Sequence, residues 1–393
     1  DDPATTAVAL GTSDPLDPCD PNNTDTDGDG ICDIQETLDG TDPNDPCDPV
    51  QAVGYTGYDP GNVAWAAADC DGDGDTNGEE ASNQTDPNDP CSASNPNNLA
   101  CPTGDFDGDG VENGTDIDPE DPCVPLSTNS ACLVSVDVKA LLQGAYNESE
   151  GLMYDSLRVK GLLPTTEPYT GMSGFTHAGQ GGGETTTQAV FGTSGVNAIV
   201  DWVFLELRDD EDSTIVVSTR AALIQRDGDI VDTDGVSPVA FTYTEPGKYF
   251  LAVRHRNHLG VMTAVSISLD GLPTILDFRT SSTANYGINA QASVGNLLAL
   301  WAGDATQDRQ VVESGTETDV NLITQMVLLD PSNTGFSMSH CVVGYYVEDL
   351  NLDGSVCAEG ANNDPSVITN SISANPGNNV NSTTKVLPEQ LPQ

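Results

Sequence analysis

The sequence predicts a mainly β protein in three parts: an extended repeat rod, an antiparallel β-sandwich, and a small C-terminal module of acidic loops and helices. Three observations predict it. Residues 1–132 carry 31 acidic residues and no Lys, Arg or His. The hexapeptide Asp-Pro-x-Asp-Pro-Cys recurs four times within them. From Leu133 onward the texture changes to short alternating apolar runs separated by turn residues. The expected boundaries are 1–13 for an N-terminal strand segment, 14–132 for the rod, 133–298 for the sandwich and 299–393 for the module and tail.

The charge comes first, because it constrains the rod. The chain has 393 residues and a formal net charge of -50, yet all 12 Lys plus Arg lie beyond residue 132. A segment of carboxylates without cations cannot compact alone, since self-repulsion adds to a weak hydrophobic drive. A disordered acidic tail is the simplest outcome. Against it, eight of the ten cysteines lie here, and the carboxylates keep fixed spacings. Divalent cations would neutralise the repulsion, and disulfides would supply what a missing core cannot. Zinc fits poorly, because the segment has no His and no Cys-x-x-Cys pair. The acidic surface excludes nucleic acid as a partner. No run of about 18 apolar residues offers a transmembrane segment. The even cysteine count implies an oxidising compartment. The start at Asp1 rather than Met fits a processed secreted chain.

The connectors are Asp14 to Cys19, Asp42 to Cys47, Asp86 to Cys91 and Asp118 to Cys123. Each proline fixes its own backbone and biases the preceding Asp away from helix, so the unit is stiff and extended. Between connectors lie three acidic loops. The first has Asp25, Asp27, Asp29 and Gly30, then Asp33 and Glu36. The second has Asp69, Asp71, Asp73 and Gly74, then Asn77 and Glu80; the third has Asp105, Asp107, Asp109 and Gly110, then Asn113 and Asp116. The first two match D-x-[DN]-x-[DN]-G-x5-E at every position, and the third closes with Asp in place of Glu. Alternate Asp side chains converge on one hard cation, Gly permits the bend, and the last carboxylate completes an oxygen shell suited to Ca2+. Several structural Ca2+ ions are therefore expected. No amphipathic helices are expected around the loops, which sets them apart from helix-loop-helix sensors.

The runs DTDGDGICDIQETLDGTDPNDPC from Asp25, DCDGDGDTNGEEASNQTDPNDPC from Asp69 and DFDGDGVENGTDIDPEDPC from Asp105 resemble thrombospondin type 3 repeats, especially those of bacterial surface proteins. The resemblance covers about residues 14 to 132 and implies a string of calcium ions wrapped by backbone around very little core. The long insertions and the varying place of the second cysteine depart from the animal form. Sequential disulfides are expected: Cys19–Cys32, Cys47–Cys70, Cys91–Cys101 and Cys123–Cys132. Spacing alone does not fix this connectivity.

In the middle region, Val134, Val136, Val138 and Ala140 alternate with polar residues, as in a half-buried strand. Strand-like runs follow at Ile199 to Leu207, Ile215 to Ser218, Ala221 to Gln225, Val239 to Thr244, Tyr249 to His255 and Ala264 to Leu269. Short strands with turn signals between them suggest a sandwich of the jelly-roll or immunoglobulin-like kind. His255 and His258, with His177, are the sharpest candidates for chemistry, but they lack a nearby acidic partner in the sequence and read as structural. No nucleophile elbow is present, and no enzyme activity is expected. The runs MYDSLRVKGLLPTTEPYTG, VDWVFLELRD, ALIQRDGDIVD and YFLAVRHRNHLGVMTA resemble a domain of large secreted Bacteroidota surface proteins, some of them hemagglutinin-like. That resemblance, over residues 134 to about 385, implies an extracellular or cell-surface setting.

Two further loops lie near the C-terminus. One has Asp304, Thr306 and Asp308, with Asp319 fifteen residues after the first; the other has Asp349, Asn351, Asp353 and Gly354, with Asp364 again fifteen residues on. Helix-like runs follow at Val320 to Leu329 and Pro365 to Ile372. The shared spacing marks a duplication offset by 45 residues. The first loop lacks the bend glycine and is expected to be the weaker metal site. The pair resembles a dockerin-type double calcium loop, which implies docking onto a partner, although stapling the end of the sandwich is the favoured role. Cys341 and Cys357 bracket the second loop and are expected to pair.

Residues 4–10 form an isolated strand-like segment, and Asn22, Asn83, Asn113, Asn147 and Asn381 begin glycosylation sequons. The leading expectation is a structural subunit of an extracellular filament, assembled head-to-tail as a homo-polymer by donation of the N-terminal strand. The alternative is a monomeric surface adhesin whose stiffened stalk presents the sandwich to a glycan or protein receptor; an accessory domain of an enzyme ranks third.

Overall fold

A computed structural model describes residues 24–123, 132–179, 181–316, 318–378 and 385–392. The chain divides into two compact units, Asp1–Leu126 and Ser127–Gln393. The N-terminal strand segment and Cys19 lie outside the described residues.

The first unit is built of loops, turns and three short helices: Asp33–Asp39, Val63–Ala67 and Asn77–Asn83. Each has a local reason. Gly40, at φ 85, ends the first by donating its N–H to the Glu36 carbonyl. Asn62 starts the second by accepting from the Ala64 and Trp65 N–H groups. Thr76 and Glu79 form a reciprocal capping box at the start of the third. The second acidic loop is therefore flanked by short helices on both sides, contrary to expectation: capping residues and the alanines of Val63–Ala67 outweigh the surrounding turn chemistry. Disulfides join Cys47 to Cys70 and Cys91 to Cys101, as the sequential scheme predicts. Cys32, Cys123 and Cys132 are also disulfide-bonded.

The second unit holds the mainly β part. Nine of its strands join in one hydrogen-bonded sheet, and among the described residues four two-stranded pairs lie outside it. The spatial order runs Ile267–Leu269, Gly247–His255, Ile199–Asp209, Val216–Gln225, Asp229–Val231, Leu133–Lys139 and Thr274–Asp277. Val239–Thr242 also pairs with Leu133–Lys139, and His258–Met262 with Gly247–His255. The short Asp229–Val231 strand bridges its two neighbours, so the ladder never breaks. Pairing is antiparallel except between Leu133–Lys139 and Thr274–Asp277, which run parallel. The expected strands at Ile215 to Ser218 and Ala221 to Gln225 merge into one.

Ile199–Asp209 is buried at every position but the last, so both its faces are covered. Phe204 packs against Tyr169 and Phe175, with ring centroids 5.1 and 5.3 Å away. Tyr169 also donates its hydroxyl to the Trp202 carbonyl at 2.9 Å, and the Trp202 indole donates to the Pro164 carbonyl. The irregular 141–192 segment is thus the second layer over this face. Val203, Leu205 and Leu207 point the other way by strand alternation and belong to the same core.

A second core holds the C-terminal residues. Helices Asp319–Leu329 and Asp364–Ala374 pack together through Ile323, Val327, Ile368 and Ile372, over Trp301, Val342 and Val356. The Cys341–Cys357 disulfide forms as expected, across the Cys341–Val343 and Ser355–Cys357 hairpin. The final Val386–Pro388 strand pairs with Gln310–Val312 and returns the tail to this unit.

Because Phe204 is fully buried between sheet and cover, Phe204→Ala should cost about 3–5 kcal/mol of stability. Chemical denaturation should show the loss in the Ser127–Gln393 transition and leave the repeat unit's transition in place.

Candidate metal centres

In all three repeat loops the first Asp organises the backbone. Asp25 accepts from the Gly28 and Gly30 N–H groups at 2.7 and 3.1 Å, Asp69 from Gly72 and Gly74 at 2.9 and 3.2 Å, and Asp105 from Gly108 and Gly110 at 2.8 and 3.0 Å. Gly28 and Gly30 have φ of 88 and 90, and their counterparts in the other loops repeat this left-handed pair. A side chain is disfavoured at such angles, so the Gly spacing is a geometric requirement.

The second and third Asp residues divide their oxygens. One oxygen of Asp27, Asp71 and Asp107 accepts from the backbone N–H two residues on, as does one of Asp29, Asp73 and Asp109. The other faces inward. Buried oxygens with no donor in reach include Oδ2 of Asp27, Asp71, Asp73, Asp107, Asp109 and Asp116, and both carboxylate oxygens of Glu36 and Glu80. Asp25, Asp27 and Asp29 bring one oxygen each within 4.8 Å of one another; Asp69, Asp71 and Asp73 do likewise, as do Asp105, Asp107 and Asp109. Buried carboxylate oxygens without donors are costly unless a cation meets them. A hard divalent ion with oxygen ligands fits each of the three loops.

The electrostatics agree. Burial, reinforced by neighbouring carboxylates, pushes Asp27 and Asp71 up to about 6, Glu36 to about 7 and Glu80 to about 8. Burial also raises Asp29, Asp73 and Asp107.

The ninth loop position has another task than the sequence suggested. Asp33 accepts from the Thr26 N–H and hydroxyl with its two oxygens, both at 2.8 Å. Asn77 accepts from the Cys70 N–H, and Asn113 from the Phe106 N–H. These three were expected as ligands; their side-chain oxygens instead clamp the loop shut behind the cation site. The alignment D-x-D-x-D-G is blind to this, because the clamp is made by a backbone N–H.

The C-terminal pair repeats the backbone geometry with a different oxygen arrangement. Gln307 and Arg309, with φ of 60 and 67, and Leu352 and Gly354, with φ of 55 and 84, occupy the same two left-handed positions. Arg309 thus adopts the bend despite its side chain. Asp304 accepts from the Asp308 and Arg309 N–H groups, and Asp349 from the Asp353 and Gly354 N–H groups. Asp319 accepts from the Thr306 and Val312 N–H groups, Asp364 from Leu350 and Cys357, and Asn351 from Asp353. One oxygen of Asp308 takes the Gln310 N–H. Within these two loops, the buried oxygen without a hydrogen-bond donor is Oδ1 of Asp353, with the Lys160 ammonium 3.8 Å away. Burial raises Asp349 to about 7 and Asp364 to about 8, with Asp319 at about 6 and Asp304 shifted well upward.

His255 and His258 face each other at the end of a hairpin whose two-residue turn is Arg256–Asn257. The Gly144 N–H donates to His258 Nε2 at 3.1 Å, which places the proton of His258 on Nδ1, 3.0 Å from His255 Nδ1. His255 Nε2 then donates to Asp201 at 3.2 Å. Arg256 and the Tyr345 hydroxyl also donate to Asp201. Although burial opposes its charge, Arg256 leads these partners in holding Asp201 down to about 2. Burial keeps both histidines neutral, lowering His255 and taking His258 well below its ordinary value. The same turn grips the second C-terminal loop: Arg256 donates to the Tyr346 carbonyl, and Asn257 to those of Val347 and Asp349. The acidic partner absent from the local sequence is Asp201, on a neighbouring strand. His177, apart from this cluster, lies 3.1 Å from the Thr170 hydroxyl.

The family model of the bacterial TSP3 repeat matches residues 25–46 and 69–90, the first two acidic loops with the connectors that follow. No curated protein and no solved structure matches the chain. TSP3 repeats are calcium-binding, which agrees with the inward carboxylates. Together with the disulfides they fit an extracellular protein. Among the described residues no helix is long and apolar enough to cross a membrane.

The raised carboxylates fix a sign. Glu80 has a folded-state pKa of about 8, above its unfolded value, so the ion-free fold binds the extra proton. Without calcium, the repeat unit should be most stable near pH 5 and lose stability as pH rises through 8. With saturating calcium the order should reverse, because protons and ions compete for the same oxygens. Amide exchange over residues 24–123 in chelator and in calcium measures both slopes; identical slopes would refute the assignment. Glu80→Gln should weaken one calcium site by about tenfold or more in titration calorimetry, through loss of a closing carboxylate.

Proposed function

We propose that the chain is a structural subunit of an extracellular filament or surface appendage, with the calcium-loaded repeats as a stiff rod between successive β domains. The observation that supports this reading is an open sheet edge. Thr274–Asp277 lies at one end of the nine-stranded sheet and pairs with a strand on one side only, although its Asp277 N–H donates to the Thr283 hydroxyl. Leu272 and Ile275 on this edge are 74% and 73% exposed. An unpaired strand edge is a template for another strand, and apolar side chains beside it add area to the contact. A donated strand would extend the sheet, and repeated head-to-tail contacts of this kind grow without closing. Residues 4–10, the expected donor, lie outside the described residues. The C-terminal loop–helix pair staples the same domain through Arg256 and Asn257, a role that needs no docking partner.

A second reading, a monomeric adhesin, is favoured by a groove of about 400 Å³ beside the second C-terminal loop, lined by Tyr154, Asn351, Asp353, Asn362 and Asn363 among others. An exposed tyrosine next to amides and a carboxylate suits a sugar ring, which offers an apolar face and a rim of hydroxyls. Under this reading Tyr154→Ala would abolish binding to a glycan array.

Negative-stain imaging of the purified protein separates the two. The filament reading expects polymers in calcium that vanish on deletion of residues 1–13 and on Ile275→Lys, with monomers that stay folded. Polymers that survive both changes would refute strand donation, and monomers under all conditions would refute the filament.

A further inference from the structure

The three repeat loops share a motif but not an environment. The difference is the stretch between Cys47 and Cys70, closed at its base by the disulfide that joins them. This stretch folds back over the first loop. The Asp59 N–H donates to the Gly28 carbonyl at 2.8 Å, the Asn62 side chain donates to the Thr26 carbonyl at 3.1 Å, and the Gln51 amide donates to Asp29 Oδ2 at 3.0 Å. The cover is tight. A Cβ on Gly28 would lie 2.4 Å from Asn62 Cβ, and one on Gly30 would lie 2.4 Å from the Gly57 carbonyl. Around Gly72, Gly74 and Gly110 of the other loops, a Cβ would meet nothing within 4 Å. Asp27 and Asp29 are accordingly 1% and 0% exposed, whereas Asp71 and Asp73 of the second loop remain partly open; in the third loop Asp107 is partly open and Asp109 buried. The cover is itself stiff: Tyr58 stacks on buried Trp65 with centroids 4.1 Å apart, and Asn62 caps the helix carrying Trp65.

We propose that residues 48–69 form a lid that retains the cation of the first loop, so that this ion exchanges more slowly than the ion of the second loop. Gln51 is a positioning residue that orients the Asp29 carboxylate through Oδ2, while Asn62 and Asp59 latch the lid to the loop backbone. An ion leaving this site must first lift the lid, whereas among the described residues nothing lies within 4 Å of a Cβ on Gly72 or Gly74 of the second loop. The lid in turn closes on a loop whose shape depends on the bound ion, since the buried carboxylates of Asp27, Asp29 and Glu36 repel one another without it. The inference rests on calcium filling the loops, and the test separates the two ideas.

Calcium release from the full chain, started by a fluorescent chelator in a stopped-flow instrument, should show one ion leaving about tenfold or more slowly, the worth of the latching hydrogen bonds. Glu36→Gln should abolish that slow phase, and the double variant Gln51→Ala/Asn62→Ala should make it fast without changing the total calcium bound. Amide exchange gives an independent readout: Glu36→Gln should deprotect the Asp59 N–H, and Glu80→Gln should not. A single release phase in the unmodified protein, or a slow phase that survives the double variant, overturns the lid. So does loss of an ion at equilibrium in the double variant, which would make Gln51 and Asn62 part of the binding set. Absence of bound calcium altogether overturns the calcium reading itself.

Discussion

A carboxylate oxygen buried without a proton donor is the constraint from which the repeat unit follows. Each loop turns some of its aspartate oxygens onto its own backbone and leaves others converging on one point. The first kind shapes the loop, and the second kind makes it incomplete. Burial, with the neighbouring carboxylates behind it, pushes Glu36 up to about 7 and Glu80 to about 8, so without an ion the loop favours protons on these oxygens. The unit has little else to hold it. Among its described residues the buried apolar side chains are Trp65, Cys32, Cys101 and Cys123. Disulfides, and the divalent ions that these loops fit, therefore stand in for apolar burial.

The second unit solves the same problem by the opposite means. It has two large apolar cores, and the buried charges of its sheet are paired there. Glu206 is held between Arg208 and Arg254, and Asp201 between Arg256 and His255. Truncating one member of such a buried group strands the other, so these networks specify geometry more than they add stability. Their placement matters: the Arg256–Asn257 turn connects the sheet to the backbone around Asp349. The C-terminal loop is thereby fixed to the sheet through uncharged carbonyls, with its carboxylates left to the loop itself.

How much of this was legible in the sequence depended on whether a feature is local. The three D-x-D-x-D-G loops, their glycine bends, three of the disulfides and most of the longer strands are set by residues near one another, and they stand where expected. The short strands Asp229–Val231, His258–Met262 and Thr274–Asp277 were not legible, because each exists through pairing with a distant strand rather than through its own pattern. The bridging Asp229–Val231 strand also turned an expected pair of sheets into one. Asp201 as the partner of His255 lies 54 residues away and could not be read from HRNH. The lid over the first loop was visible only as an insertion of unknown purpose, since Gln51 and Asn62 act across 22 and 36 residues.

The five acidic loops also separate two properties that a motif merges. Backbone geometry is common to all of them: left-handed residues recur at the fourth and sixth positions, whether these are Gly28 and Gly30 or Gln307 and Arg309. The partners of the carboxylate oxygens are not common to all. In the repeat loops several buried oxygens lack donors, whereas in the Asp304 loop the Asp304 and Asp319 oxygens accept from N–H groups of the loop and of Val312. A side chain at a left-handed position strains the backbone, so Arg309 marks a loop whose shape is enforced by the core around it rather than by an ion. Gly354 relaxes that strain in the second copy, where Asp353 retains an inward oxygen without a hydrogen-bond donor. The loop motif therefore reports a shape; the count of carboxylate oxygens left without donors reports whether that shape needs calcium.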